Sequence, residues 1–337
     1  MTRGADTRGG TTRAIAMAGG LLAASLAWVF LVVPRWGTLP LVRSLEPGHV
    51  AALEHEPPVP VERVAPPHGT RWVARDGLVR DGALIVATAD ELVVLGADGA
   101  PDHVRSWSRP EGAAITAVAP WTGGGVVVGA ADGSLTFVGA DSAEVVRIEG
   151  AGPVVDLARV GARLVVATAG GGLVTLEGDH ARRADLLSDG TRIADLTALA
   201  ADTRVAIGGA DGVVVAEHAG RLARWAQVEG RVTALAWQGP RVLVGTAHGI
   251  ARVDATGRLE TLAQHLEVTA LLASTTDDTI YVGTPDGVVV LGGGSSERRL
   301  LSGERIERVR LVGGRALAFG SHGVWDLDSG EAIRTGS

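Results

Sequence analysis

The stretch RVTALAWQGPRVLVGTAHGIARVDATGRLETLA, from Arg231 to Ala263, decides the fold, because versions of it recur from about residue 70 to the C-terminus. It contains four short runs rich in Val, Ile, Leu and Thr. Gln238-Gly239-Pro240, Ala247-His248-Gly249 and Ala255-Thr256-Gly257 separate the runs. Glycine-containing breaks of this kind form hairpin turns. The unit therefore predicts four antiparallel strands joined by tight turns.

Aligning the Gly-x-x-x-Gly of the central turn, Gly245 and Gly249, identifies seven copies with a period of about 39 residues. The first small residues of the seven turns are Ala87, Gly129, Ala167, Gly208, Gly245, Gly283 and Gly320. Four strands repeated at this period are typical of a propeller blade. Because one such sheet cannot bury both faces alone, the blades must stack into a closed ring. The sequence predicts an all-β, seven-bladed β-propeller over residues 71–337, with a last blade that borrows no strand.

The N-terminal region predicts a membrane anchor. From Ala14 to Val33 the sequence AIAMAGGLLAASLAWVFLVV runs for 20 residues without a charge, about the length that crosses ~30 Å of hydrocarbon. We predict a single transmembrane signal anchor preceded by a short basic tail, residues 1–13. A cleaved signal peptide is the alternative, since Ala24-Ser25-Leu26-Ala27 offers small residues, but the apolar run continues past it. The positive-inside rule places the N-terminus in the cytoplasm and the propeller outside, in the periplasm.

Residues 34–70 contain repeated prolines and predict a semi-rigid spacer. Val59, Val61 and Val64 alternate weakly within it. The segment could instead lie along the ring edge, as an extra strand that closes the first blade on the last.

Composition excludes several kinds of chemistry. The chain has no Cys, Lys or Asn, so all 31 basic residues are arginines. Disulfides, thiolate metal sites, a thioether-linked lipid and Schiff-base lysines are therefore excluded. Beyond residue 43 the chain carries 26 arginines and 37 acidic residues. The net charge of this part of the chain is therefore near −11. Such a surface repels phosphate backbones, so nucleic acid is not expected as a partner.

The residue before the second glycine of the central turn is a candidate binding group. In a propeller these residues would all lie on one face and form a ring of four carboxylates and two imidazoles. Such a ring could bind cations or a basic surface. The competing interpretation is turn chemistry, since Asp before Gly suits a tight turn. The candidate ligand-binding residues are Asp90, Asp132, Asp211, His248, Asp286 and His322, with Gly170 in the third blade.

No other motif predicts a catalytic, metal or cofactor site. Asp326 and Asp328 in WDLDSGE resemble the start of a calcium loop, but the remaining ligands at the required spacing are missing. A strand ending in a hairpin is the better interpretation. The sequence from Phe319 to Gly323 comes closest to a nucleophile elbow and does not fit it. Tryptophans recur at differing offsets and predict packing rather than an aromatic cage: Trp107, Trp225, Trp237 and Trp325.

The copies VTALAWQGPRVLVGTAHGIARVDATG and VTALLASTTDDTIYVGTPDGVVVL share a Val-Gly-Thr-x-x-Gly core, at Val244 to Gly249 and Val282 to Gly287. This pattern resembles the repeats of the two-component regulator propeller family, the extracytoplasmic sensor domains of bacterial signalling proteins. It is also similar to WD40-like and quinoprotein-like repeats. The resemblance implies a binding platform or sensor domain and transfers no catalytic residue. That family usually continues into a histidine kinase or other output module. Here 13 residues precede the membrane helix, so signalling would need a partner protein.

The sequence therefore predicts a non-catalytic, membrane-anchored propeller in the bacterial envelope. It would act as a binding platform or sensor domain for an envelope or membrane protein, or for a small ligand. An envelope assembly scaffold is the alternative within binding proteins. A lyase or quinoprotein that uses the propeller channel is less favoured.

Overall fold

The computed structural model describes residues 53–55, 59–60, 73–96, 102, 107–108, 112–170, 172–178, 180–184, 187, 191, 193, 195–218, 221–292 and 295–333. All of them belong to one compact unit, Leu45–Ser337. The predicted basic tail and membrane anchor, and most of the predicted spacer, lie outside the described residues. Within the described ranges, no helix has the length and apolar character needed to span a membrane.

Seven antiparallel four-stranded sheets confirm the predicted all-β, seven-bladed propeller. A 3-10 turn, Thr122–Gly124, links the first and second strands of blade 2. Blade 1 contains β3 (Asp76–Arg80), β4 (Ala83–Ala87), β5 (Glu91–Leu95) and β6 (Trp107–Ser108). Blade 2 contains β7 (Ile115–Pro120), β8 (Val126–Ala130), β9 (Ser134–Val138) and β10 (Ser142–Ile148). Blade 3 contains β11 (Val154–Val160), β12 (Arg163–Thr168), β13 (Gly172–Glu177) and β14 (His180–Ala184).

The remaining four blades repeat the same strand order. Blade 4 contains β15 (Leu196–Ala201), β16 (Val205–Gly209), β17 (Val213–His218) and β18 (Arg221–Gln227). Blade 5 contains β19 (Val232–Gln238), β20 (Arg241–Thr246), β21 (Gly249–Val253) and β22 (Leu259–Gln264). Blade 6 contains β23 (Ala270–Ala273), β24 (Ile280–Thr284), β25 (Gly287–Gly292) and β26 (Ser295–Ser302). Blade 7 contains β27 (Ile306–Val312), β28 (Arg315–Gly320), β29 (Gly323–Asp326) and β30 (Ala332–Ile333).

Burial follows the position of each strand in its blade. In β20, which carries RVLVGT, every residue after Arg241 is buried, as expected for a strand packed between two neighbouring blades. The outermost strand of the same blade, β22, is mostly exposed. The first strand of each blade contacts the first strands of both neighbouring blades, so these seven strands surround the central channel.

Glycine in the second strand lets adjacent blades approach closely. A Cβ atom placed on Gly245 would lie 2.4 Å from Cγ1 of Val268 in the next blade. Gly129 and Gly208 stand in the same way against Val154 and Val232. At these three contacts a valine at or just before the start of the next blade's first strand fills the space that the glycine leaves.

The register corrects the alignment of the last copy. Ile306 pairs with Gly320 as Val232 pairs with Thr246, so Phe319 is the true equivalent of Gly245. At the contact between blades 7 and 1 the large and small partners are exchanged. Phe319 is fully buried and fills the space beside Gly77, where an added Cβ would lie 2.4 Å from the ring.

The ring closes without an exchanged strand, as predicted. The four strands of blade 7 come from one continuous segment, and β27 contacts β3 of blade 1. A backbone hydrogen bond joins the two blades, with the N–H of Ala74 donating to the carbonyl of Gly320 at 2.9 Å.

Two short strands within the predicted spacer extend a different blade. They are β1 (Leu53–His55) and β2 (Val59–Pro60), and both pair with β10 on the outer edge of blade 2. These strands lie along the ring edge, but on blade 2. The alternative that the segment closes the first blade on the last is therefore wrong. β10 would otherwise be the edge strand of its blade, and its outward-facing backbone groups pair with these two strands.

Candidate functional site

The candidate ring residues lie in equivalent turns. Each follows the second strand of its blade and precedes the third, so all stand on the face that we call the upper face. All six side chains belong to exposed residues: Asp90, Asp132, Asp211, His248, Asp286 and His322.

Most of these residues take part in local turn structure. Asp132 accepts hydrogen bonds from the N–H and hydroxyl of Ser134 at 3.0 and 2.6 Å. Asp286 binds Arg299 of its own blade at 2.6 Å. The glycines after the turn aspartates in blades 2 and 4, Gly133 and Gly212, have φ of 83° and 82°. The left-handed conformation thus falls on glycine, while the aspartate oxygens bind nearby turn groups.

His322 belongs to the most organised cluster on this face. Its Nδ1 lies 2.5 Å from Oε2 of Glu304, a carboxylate that is almost entirely buried. The backbone N–H of His322 and the hydroxyl of Ser321 both donate to Oε1 of Glu304, at 2.6 and 3.0 Å. The Ser321 hydroxyl is 3.3 Å from the same Nδ1. A catalytic triad needs the serine and the acid on different ring nitrogens, so this arrangement fits a turn anchored on a buried carboxylate.

The two ring histidines allow a matched comparison. We expect His322→Ala to lower the free energy of unfolding by about 1 kcal/mol, because Glu304 loses one charge-assisted partner at a half-exposed site. His248→Ala should change it by less than about 0.5 kcal/mol, since the described contacts of His248 involve its backbone. Urea unfolding of both variants measures the difference. Equal effects would contradict a specific role for the Glu304 contact.

The WDLDSGE segment forms a strand end and a hairpin, as predicted. Oδ1 of Asp326 accepts the N–H groups of Asp328 and Ser329 at 2.9 and 3.2 Å, and Oδ2 pairs with Arg315. Its oxygens are therefore used within the turn. Within the described ranges, no three His, Asp or Glu side chains converge as metal ligands.

The tryptophans pack between blades. The rings of Trp225 and Trp237 lie 5.6 Å apart across the contact between blades 4 and 5, and the Arg204 guanidinium stands 3.9 Å over Trp237. The Trp237 indole N–H donates to the carbonyl of Ala200 at 3.3 Å. An arginine already covers the exposed aromatic face, so this group stabilises the contact between the two blades.

Sequence reasoning missed a group of charges in the central channel, Asp76, Asp156, Arg308 and Arg310, which we call the channel cluster. Arg310 of blade 7 donates to both oxygens of Asp76 in blade 1, at 2.8 and 2.9 Å. It also reaches Asp156 of blade 3 at 3.0 Å. Arg308 lies 3.4 Å from the other oxygen of Asp156 and donates to the Val155 carbonyl at 3.0 Å. The cluster therefore joins three blades across the channel.

The repeat held a signal for this cluster. At the third residue of VTALAW four blades carry alanine, whereas Asp76, Asp156 and Arg308 occupy the position in blades 1, 3 and 7. At the fifth residue blade 7 again departs, with Arg310 where other blades carry Ala or Leu. The alignment therefore marks two negative and two positive charges at inner positions, although it does not show which of them pair.

Asp76 is ionised despite complete burial. Burial opposes ionisation of its carboxyl group, but the charge and hydrogen bonds of Arg310 outweigh that effect and hold the pKa of Asp76 below its ordinary value. The N–H of Val118 in blade 2 also donates to this carboxylate, at 3.1 Å. Burial likewise opposes the charge of Arg310, but the carboxylates of Asp76 and Asp156 outweigh it and raise the pKa of Arg310, which therefore stays charged.

The channel leaves little room for a ligand. The cluster forms one wall, and small and apolar residues of blades 4 to 6 form the other: Ala198, Leu199, Ala234, Leu235, Ala270 and Leu271. The cavity between them measures about 40 Å³. That volume holds a few water molecules, whereas pockets for organic ligands measure roughly 300 Å³ or more.

Comparison with known proteins supports the fold. No family model matches the chain, and no curated protein is similar to it in sequence. Among solved structures, the extracellular domain of a one-component system from B. thetaiotaomicron superposes with a TM-score of 0.61 at 13% identity, covering 76% of this chain and 38% of that one. Virginiamycin B lyase from Staphylococcus aureus, in a catalytically inactive form, gives 0.65 at 7% identity, with 81% and 98% coverage.

A chain in the mitotic checkpoint complex gives a TM-score of 0.62 at 16% identity and covers 85% of this chain and 95% of that one. This chain spans only 38% of the length of the extracellular domain from B. thetaiotaomicron. An extracellular domain of a one-component system, a lyase and a component of a protein complex share this architecture, and at such identities the likeness establishes the propeller fold alone.

Proposed function

We propose that this protein is a non-catalytic binding platform or sensor domain for an envelope protein. In this proposal Ala14 to Val33 anchors the chain in a bacterial membrane and the propeller stands on the extracytoplasmic side. The channel cluster carries the proposal, because Arg310 crosses the channel to Asp76 and Asp156 and the cavity beside it measures about 40 Å³. Contact with a partner must then take place on the outer surfaces of the ring. The architecture shared with an extracellular sensor domain supports the same function.

Capture from native membranes tests this function. The full-length chain serves as bait in detergent extract, and Gly245→Val, which we expect to disrupt the ring, serves as the control bait. We expect a partner in stoichiometric amount with the wild-type chain and not with the variant. The purified partner must then bind the purified chain directly. If nothing binds the folded chain directly, a binding platform is the wrong account.

Membrane attachment has its own test. Ala24 lies near the middle of the predicted span, where an arginine costs about 3 kcal/mol in membrane insertion. We expect the full-length chain to stay in the membrane fraction after alkaline extraction and Ala24→Arg to shift it toward the soluble fraction. The mass of the purified chain gives the control, because a cleaved signal peptide would shorten it. A shortened, freely soluble wild-type chain would contradict the anchor.

A further inference from the structure

We propose that the channel mouth opposite the upper face docks an extended protein segment that carries a large apolar side chain beside carboxylates. This inference rests on the proposed function and specifies its surface and partner chemistry. The mouth lies on the lower face, which we define by the turn between the first and second strands of each blade.

The first strands end at this mouth, and an equivalent position at or next to the end of each strand is apolar in most blades. Counting from Val232, the position is the sixth residue of VTALAW. Leu311 and Val79 are 51% and 39% exposed there, and they are two of only four large apolar side chains that the described part of the chain leaves exposed. The seven mouth residues are Val79, Pro120, Arg159, Ala201, Trp237, Ala273 and Leu311.

Three of these residues stand at equivalent positions on the consecutive blades 7, 1 and 2, and we call them the apolar crescent: Leu311, Val79 and Pro120. Val79 reaches blade 7, since a Cβ on Gly313 would lie 3.5 Å from its Cγ2. The adjacent Arg80 reaches blade 2, since a Cβ on Gly124 would lie 3.4 Å from its Nη2. The crescent therefore crosses two contacts between blades.

Arginines border the apolar crescent. Arg159 occupies the next mouth position, on blade 3, and its Nε donates to the Gly161 carbonyl at 2.9 Å. No carboxylate among the described residues forms an ion pair with Arg159. Among the same described residues, Arg80 forms an ion pair only with the exposed carboxylate of Asp81, at 3.4 Å. In a chain whose overall charge is negative, an apolar surface bordered by arginine complements an apolar segment with acidic residues.

The shape of the surface favours a peptide segment over a small molecule. The apolar crescent is open, and the channel cluster closes the channel above it, so an enclosed ligand has no pocket there. An extended segment can cover neighbouring blades and place one side chain in the mouth. A central apolar contact of this kind usually supplies most of the binding energy.

A single fluorophore at the mouth provides the measurement. The chain contains no cysteine, so Leu311→Cys accepts one environment-sensitive label, and Leu259→Cys on the outer strand of blade 5 gives the control. Leu259 is also exposed, at 41%, and lies away from the mouth. The labelled full-length chain is held in phosphatidylcholine nanodiscs. The probes are synthetic peptides with a Leu-Phe pair flanked by Glu, the same peptides flanked by Arg, and vesicles containing phosphatidylserine.

We expect the Glu-flanked peptides to shift the emission of the label at position 311 and to bind at least about tenfold more tightly than the Arg-flanked set. Arg159→Glu should abolish or reverse that preference, and the label at position 259 should not respond. Equal binding of the two peptide sets would overturn the proposal. A response to vesicles alone would also overturn it and would assign the crescent to lipid.

This experiment separates the two proposals. If a captured partner binds the purified chain while neither peptide set reaches the mouth, the inference about the mouth fails and the binding function stands. If the acidic peptides bind as expected and no native partner is found, the mouth is established and the proposed partner class remains to be identified by photo-crosslinking from position 311.

Discussion

Gly245→Val is expected to lower the free energy of unfolding by about 3 kcal/mol or more. Besides Cγ1 of Val268 at 2.4 Å, an added Cβ would meet Cδ1 of Leu271 at 3.2 Å, and both belong to the buried interior of the next blade. Overpacking in a core with no free volume costs about 1–3 kcal/mol even when side chains adjust, and valine adds two further methyl groups. Thermal unfolding followed by circular dichroism measures the loss.

The same substitution in an exposed turn gives the control. Gly139 is exposed and an added Cβ would meet only the Ser142 carbonyl, at 3.3 Å. Gly139→Val should therefore cost less than about 1 kcal/mol. Shortening the opposing side chain by Val268→Ala should relieve part of the defect in Gly245→Val. An unchanged melting temperature in Gly245→Val would contradict the packing account of the repeat.

Arg310→Met is expected to destabilise the ring by about 3 kcal/mol at neutral pH. Asp76 is fully buried and Asp156 nearly so, and removal of their shared partner leaves two carboxylates facing the channel. Breaking a buried ion pair by removing one member costs about 3–5 kcal/mol. Arg163→Met removes the Arg163–Glu217 pair between blades 3 and 4, which is 2.9 Å long and partly exposed. It should cost less than about 1 kcal/mol.

The pH dependence identifies the cause of that loss. In the wild-type ring the pKa of Asp76 lies below its ordinary value, so the stability it contributes is present above about pH 4 and declines as pH falls further. Without the charge and hydrogen bonds of Arg310, burial opposes ionisation with less compensation, so the pKa of Asp76 rises and protonation stabilises the variant as pH falls from neutral toward about 4. The difference between wild type and Arg310→Met should therefore shrink over this range. A constant difference would indicate that lost packing, not charge, explains the defect.

Sequence periodicity predicted the architecture because each blade repeats one set of physical requirements. Short turns need glycine, the second strand is buried on both faces, and a small residue such as Gly245 must face the next blade. The last copy deviated because its large and small residues are exchanged between blades, with Phe319 opposite Gly77. An alignment that searches for glycine selects Gly320 there, since it cannot see the partner residue on another blade.

The candidate site was harder to predict because it depends on which blades become neighbours. The turn residues were found by spacing, and the structure places them together on the upper face, mostly in local turn contacts. The ion pair between Arg310 and Asp76 joins residues 234 positions apart. No local pattern joins two such residues, although their departure from the alanines of the repeat marked them. The location of β1 on blade 2 likewise depends on an edge that only the folded ring presents.

The exposed mouth residues were missed for a different reason. Leu311 and Val79 occupy strand positions that are apolar in most blades, so the sequence gives them the character of core residues. Only the closed ring shows that the sixth position of each first strand reaches the lower face and that blades 7 and 1 place large side chains there.

Photo-crosslinking in cells is the most direct test of the claim that this ring is a binding platform. A photoreactive amino acid would be placed in the full-length chain at Leu311 on the lower face, Asp286 on the upper face and Leu259 on the outer edge of blade 5. The account predicts an adduct of discrete mass from position 311 that is absent from position 259. Absence of a discrete adduct at either face in a correctly folded chain would contradict a platform function.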